Sequence, residues 1–197
     1  MPAKMTFNIH SKSLLLIPVV GLILFLFPVD VRESLYFNIE AISQGEYWRF
    51  FTGHFLFFSY NHLLFNSIAL LIYVLIFNST ITKYIFLEIA LLATIISTGL
   101  IFLSNQLSGY IGFSGILFGL YILSAIKYIP TNKRLAYSVL AILSLYIANQ
   151  LFKGELIESS IYDIRTSTYA HALGYFGGIL LATVYRLTNN DANRKNP

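Results

Sequence analysis

The stretch Gly109-Tyr110-Ile111-Gly112-Phe113-Ser114-Gly115-Ile116-Leu117-Phe118-Gly119 opens an apolar run that continues to Tyr128. A serine in such a run ordinarily packs, returning its hydroxyl to a carbonyl one turn earlier. Here Ser114 is bracketed by Gly112 and Gly115, and a second apolar run further on carries His171. A hydroxyl among glycines near one membrane face, with an imidazole at similar depth on another helix, suggests a nucleophile paired with its base.

Composition places both residues in a bilayer. Of the 197 residues, 56% are hydrophobic and only 11% charged, against roughly 25% charged in soluble domains. The length fits one membrane domain, 1–197. Cysteine is absent, which excludes disulfides and thiolate metal sites. The four histidines lack ligand spacing, so neither a metal nor a cofactor is expected. The formal charge of +4 is spread over loops and tails. It reports topology and does not point to nucleic acid.

A transmembrane helix needs about 20 apolar residues to cross a ~30 Å hydrocarbon core. Apolar runs fall at 13–29, 61–79, 84–104, 109–128, 134–152 and 168–187, predicting an all-α bundle of six transmembrane helices. The first run could mimic a signal peptide, but Pro28-Val29-Asp30 follows it in place of a small-residue cleavage site, so it is expected to be retained. With six spans, nine of the 13 Lys and Arg fall on the side of both termini, which puts both termini in the cytoplasm. Segment 30–60 is aromatic in its second half, from Tyr47-Trp48-Arg49 to Phe58. It is expected either in the outer leaflet or as an outer loop packed on the bundle.

Ionisable groups inside spans are costly and are functional candidates by default. They are His62, Glu88 and His171, since Lys83 and Arg186 lie at span ends and can snorkel. At ~1.5 Å per residue, Ser114 lies ~7–8 Å below the outer surface, His171 ~5 Å, and His62 and Asn66 between ~2 and ~8 Å. The charge-derived topology thus puts all four in one layer. His62 and Asn66 are i and i+4 on one face. Gly112, Gly115 and Gly119 line one helix, and Ala170, Gly174 and Gly178 another, so the two backbones can approach closely. Ser114 then serves as nucleophile and His171 as its base. His62, the Asn66 amide and the Ser114 backbone N–H are available for an oxyanion. No span carries an acidic residue in this layer, so a Ser–His dyad is expected. Asp163, in the aqueous 153–167 loop, is the candidate for a third member. Glu88 is expected to be structural, or protonated beside a polar neighbour. His54 is expected to be a loop histidine. A base must be neutral to accept a proton, so activity is expected to fall in acid.

With these residues in view, the chain resembles the rhomboid intramembrane serine proteases. The matching elements are Trp48-Arg49 in the first loop, His62 and Asn66 opening the second span, Gly112, Ser114, Gly115 and Gly119 in the fourth, and Ala170-His171 with Gly174 in the sixth. They occur in order across 13–187. The resemblance implies Ser114 and His171 as catalytic residues and His62 and Asn66, beside Gly112, as the oxyanion hole. It also implies Phe118 as an aromatic ring on the catalytic His, Arg49 as a brace of the first loop, and the fifth span as a lateral gate. The compact form, with Thr52-Gly53-His54 before the second span, looks most like the rhombosortase branch. It departs at Phe57 and Phe118, where many of that branch carry His.

The resemblance further implies transmembrane protein substrates and, for the rhombosortase branch, proteins bearing a Gly-Gly-type C-terminal sorting helix. It implies a bacterial inner membrane, with the active site toward the periplasm. Two other classes are weaker. A non-catalytic rhomboid-like protein that binds membrane partners usually lacks the Ser or the His. A transporter tends to show broken helices and internal repeats.

Overall fold

The computed structural model describes residues 6–102, 109–153, 157–158, 165–166 and 168–195. Helices occupy every apolar run. The first is split into α1 (Ile9–Leu14) and α2 (Leu16–Phe25). Pro18 explains the split, because its ring collides with the carbonyl four residues earlier, that of Leu14. The Asn8 side chain caps α1 by accepting from Ser11 N at 2.8 Å. The apolar helix therefore runs over 9–25 and not 13–29; Pro28 bars its continuation.

Segment 26–59 folds into α3 (Val29–Glu33), β1 (Phe37–Asn38), α4 (Ile39–Ser43), α5 (Arg49–Thr52) and a 3₁₀ turn at Gly53–Phe55. Then come α6 (Tyr60–Phe77), α7 (Ile85–Phe102), β2 (Gly109–Tyr110), α8 (Ser114–Tyr128), α9 (Lys133–Lys153), β3 (Ile157–Glu158), β4 (Arg165–Thr166) and α10 (Thr168–Lys195). β1 pairs antiparallel with β2, and β3 with β4.

Among the described residues, α6, α7 and Lys133–Phe152 of α9 are long and apolar enough to cross a membrane; Ile9–Phe25 and α8 are shorter apolar helices. Large apolar side chains face outward, such as Leu145 at 72% exposure and Phe152 at 93%. An exterior of this kind belongs in lipid, which solvates it without cost. Inside, Tyr73, Phe77, Leu92, Ile96, Ile116 and Leu120 are fully buried around α8. Tyr73 Oη and Ser124 Oγ bond across the core at 2.9 Å. Glu88 and Lys127, both mostly buried, form an ion pair at 2.5 Å, so the polar neighbour of Glu88 is an ammonium.

The first loop both packs on the bundle and faces outward. Phe37, Ile42 and Phe57 join the core, while Tyr47, Trp48 and Phe51 are exposed. Arg49 ties the loop together. Its guanidinium donates to the carbonyls of Glu33 at 2.5 Å and Tyr36 at 3.1 Å, and pairs with Glu46 at 2.5 Å.

Candidate functional site

The fourth apolar run is not helical from its beginning. Residues 109–113 are extended or bent, and α8 starts at Ser114. Two features stop the helix from starting earlier. Gly112 adopts φ +136°, a conformation that side chains rarely tolerate. The first loop also grips this segment: Phe37 pairs with Tyr110, Asn38 with Gly109, and Gly112 N–H donates to Gly53 O at 3.0 Å. The Tyr110 hydroxyl donates to Gly112 O and holds the bend from within. The first loop is thus a clamp on the segment before Ser114.

The consequence for Ser114 is chemical. It is the first residue of α8, and no side chain caps that end. Its backbone N–H is among the donors a helix start leaves open, at the positive end of the helix dipole. With 15 residues, α8 spans about 22 Å. That is about 8 Å short of a hydrocarbon core.

α10 brings the imidazole to it. Among the described residues α8 and α10 share the most extensive contact of any two elements, and the contact is backbone on backbone. A Cβ on Gly115 would meet Ala170 O at 2.9 Å, one on Gly119 would meet Gly174 O at 2.9 Å, and one on Gly178 would strike Gly119 O. His171 lies beside this seam. Its Nε2 is 2.8 Å from Ser114 Oγ. Its ring stacks on Phe118 with centroids 4.7 Å apart and planes 29° apart. Its Nδ1 is 3.1 Å from Gln150 Oε1, and Gln150 Nε2 donates to Tyr146 Oη at 3.0 Å. His171 and Gln150 are both buried.

Gln150 and Tyr146, both on α9, are not among the candidates read from the sequence. Their i, i+4 spacing within the fifth apolar run was the available signal. The expected pair thus has a third polar member, an amide and not an acid. Asp163 lies outside the described residues.

α6 supplies the other polar groups. Ser59 caps it, accepting from His62 N at 3.1 Å. Asn66 Nδ2 donates to His62 O at 2.8 Å. The His62 ring stacks on Phe58 at 4.3 Å and meets Phe57 edge-on at 5.4 Å. Its far edge abuts Gly112, where a Cβ would stand 2.9 Å from Cε1. Among the described residues His62 Nδ1 and Asn66 Oδ1 are buried without a partner. Asn66, Phe65, Phe118, Tyr146, Ser114 and His171 share the wall of a cavity of about 480 Å³, mostly apolar and open between α6 and α9. His62 does not line it.

Arg49 and His54 stand apart from this cavity. Arg49 lies within the first loop, away from the cavity. His54 is fully buried, its Nε2 2.9 Å from Ser97 Oγ, and its ring lies edge-on to Tyr110 at 5.4 Å. Ser97 donates its own proton to Phe50 O at 2.7 Å, so His54 donates to Ser97. This second Ser–His contact ties the first loop to α7. No three His, Asp or Glu side chains converge as metal ligands among the described residues.

A family model described as the Rhomboid domain matches residues 44–188, from just before Arg49 to beyond His171. The chain belongs to the rhomboid family. It is a mostly helical membrane protein of a family whose members are typically intramembrane serine proteases acting on membrane proteins. The match takes in α5 to α9, α10 as far as residue 188, and Gly53, whose carbonyl accepts from Gly112 N–H; Phe37 and Asn38 precede it. No curated protein matches the chain.

Proposed function

We propose that the chain is a single-domain serine endopeptidase that cleaves transmembrane segments, with Ser114 and His171 as catalytic residues. The observation that carries this is the 2.8 Å contact between Ser114 Oγ and His171 Nε2 at the wall of an apolar cavity, beside Asn66. Ser114 Oγ attacks the peptide carbonyl carbon as its proton passes to His171 Nε2. The oxyanion takes hydrogen bonds from the free Asn66 Nδ2–H and the Ser114 backbone N–H, with His62 and Gly112 shaping that side. His171 returns the proton to the departing amine, leaving an ester on Ser114. Water then attacks the ester, giving its proton to His171, and frees the acid and the hydroxyl. The apolar walls suit a hydrophobic segment entering between α6 and α9. A hydrogen-bonded Ser–His pair favours this over a non-catalytic protein that only holds membrane partners.

The finer features belong to the same proposal. The chain crosses a bacterial inner membrane six times, both termini are cytoplasmic, and the Ser114 layer faces the periplasm. Thr52-Gly53-His54 before α6 and the compact form favour the rhombosortase branch. Its substrates would then be proteins with a Gly-Gly-type C-terminal helix and a basic tail.

Purified protein in lipid nanodiscs should cleave a transmembrane reporter, and Ser114→Ala should abolish cleavage. Full residual cleavage by Ser114→Ala overturns the proposal. Paired reporters with and without the Gly-Gly entry to a C-terminal helix test the branch, and equal rates remove it.

A further inference from the structure

We infer that Gln150 is a positioning residue that sets which nitrogen of His171 carries the proton, so that the base depends on α9. The inference rests on the protease reading for its catalytic meaning, but the hydrogen-bond geometry stands without it.

The argument is one of donors and acceptors. An amide oxygen only accepts, so the 3.1 Å contact between Gln150 Oε1 and His171 Nδ1 requires a proton on Nδ1. In a neutral imidazole the other nitrogen, Nε2, then carries the lone pair. That is the nitrogen 2.8 Å from Ser114 Oγ, and it is ready to accept the hydroxyl proton. After the transfer both nitrogens carry protons, and Gln150 Oε1 still accepts from Nδ1. One acceptor therefore serves both states of the ring.

The amide itself must be oriented. If it turned over, its NH₂ would face Nδ1 and force the proton onto Nε2, where it blocks acceptance from Ser114. With Oε1 toward His171, Gln150 Nε2 donates to Tyr146 Oη at 3.0 Å, so both ends of the amide are bonded. Tyr146 also stacks on Phe118, at 5.4 Å and 26°, and Phe118 stacks on His171. Tyr146 and Gln150 are one turn apart on α9, so a single face of this helix supplies both. Only 17% of the membrane-length part of α9 is buried, against 33% for α6 and 39% for α7. The residue that fixes the base thus rides on the helix with the smallest buried share of these three, and the relay is complete only while α9 is packed against α10.

The test compares Gln150→Leu, which keeps shape and removes the acceptor, with Gln150→Glu, which keeps an acceptor. Protein labelled with ¹⁵N-histidine reports the tautomer of His171 directly, and the remaining histidine signals report whether the fold is intact. In the wild type His171 should be the Nδ1–H tautomer. Gln150→Leu should lose that preference and lower kcat on a transmembrane reporter at least about tenfold, with KM within about twofold, the size expected for one buried hydrogen bond. Gln150→Glu should recover most of the rate. An unchanged His171 tautomer in Gln150→Leu overturns the inference, as does a Gln150→Glu rate no better than that of Gln150→Leu. Cleavage that survives Ser114→Ala overturns the protease reading instead, and the tautomer measurement still decides the role of Gln150.

Discussion

Gly174 of α10 faces the carbonyl oxygen of Gly115 so closely that no side chain fits between them. Gly115 follows Ser114, and Gly174 lies one turn beyond His171. The closeness of this seam is what brings Oγ and Nε2 to 2.8 Å.

Gly174→Ala should therefore push α10 off α8 and open that contact. The obstacle is backbone, which cannot swing aside as a side-chain tip can. Overpacking of this kind costs about 1–3 kcal/mol, and a misplacement of about 1 Å can cost about 100-fold in rate. Thermal unfolding in detergent and reporter cleavage, measured on one preparation, should show both losses. A fully active Gly174→Ala protein would mean the seam does not govern the site.

Asn66→Ala should lower kcat by about 10²–10³ with little change in KM, because an oxyanion donor acts in the transition state and not in substrate binding. Fluorophosphonate labelling and steady-state cleavage measure the two effects. A rise in KM at constant kcat would instead make Asn66 a substrate contact.

His54 predicts an acid-sensitive fold. Burial holds its imidazole down from 6.5 to about 4. The unfolded chain therefore takes up the proton first as pH falls. Stability should be complete above about pH 6.5 and decline toward pH 4, by about 3 kcal/mol in all. His54→Gln, which keeps a donor for Ser97 and does not titrate, should make the acid decline of the melting temperature over this window shallower. An equally steep acid decline in His54→Gln would assign the sensitivity elsewhere.

The Glu88–Lys127 pair should matter to the fold and not to cleavage. Both side chains are mostly buried, and the pair forms near the end of α8 opposite Ser114. Removing one partner, as in Glu88→Leu, leaves the other charge buried and should cost about 3–5 kcal/mol. Glu88→Leu with Lys127→Met should recover most of it, while reporter cleavage at permissive temperature stays at the wild-type level throughout. A double variant as unstable as the single one would show that the pair itself contributes net stability.

Much of the site was legible because a bilayer makes polar residues conspicuous. Ser114, His171, His62 and Asn66 stand out within apolar runs, and glycines at intervals of three or four mark where helices touch. Hydropathy misjudged where helices start and stop. The run from Gly109 reads as continuous helix, yet Gly112 at φ +136° and the clamp of Phe37, Asn38 and Gly53 delay the helix to Ser114. Likewise Pro18 and Pro28 set the limits of α1 and α2 more firmly than the apolar count did.

The sequence by itself determined that this chain lives in a membrane, which stretches are helical there, and which few polar groups they carry. Each of those follows from the local chemistry of consecutive residues. Only the tertiary structure decided the partners: Gln150 for His171, Ser97 for His54, Lys127 for Glu88, and the first loop for the segment before Ser114. Inside a low-dielectric bundle every polar group is driven to find a partner, and that partner comes from whichever helix the packing brings near, at no fixed distance along the chain.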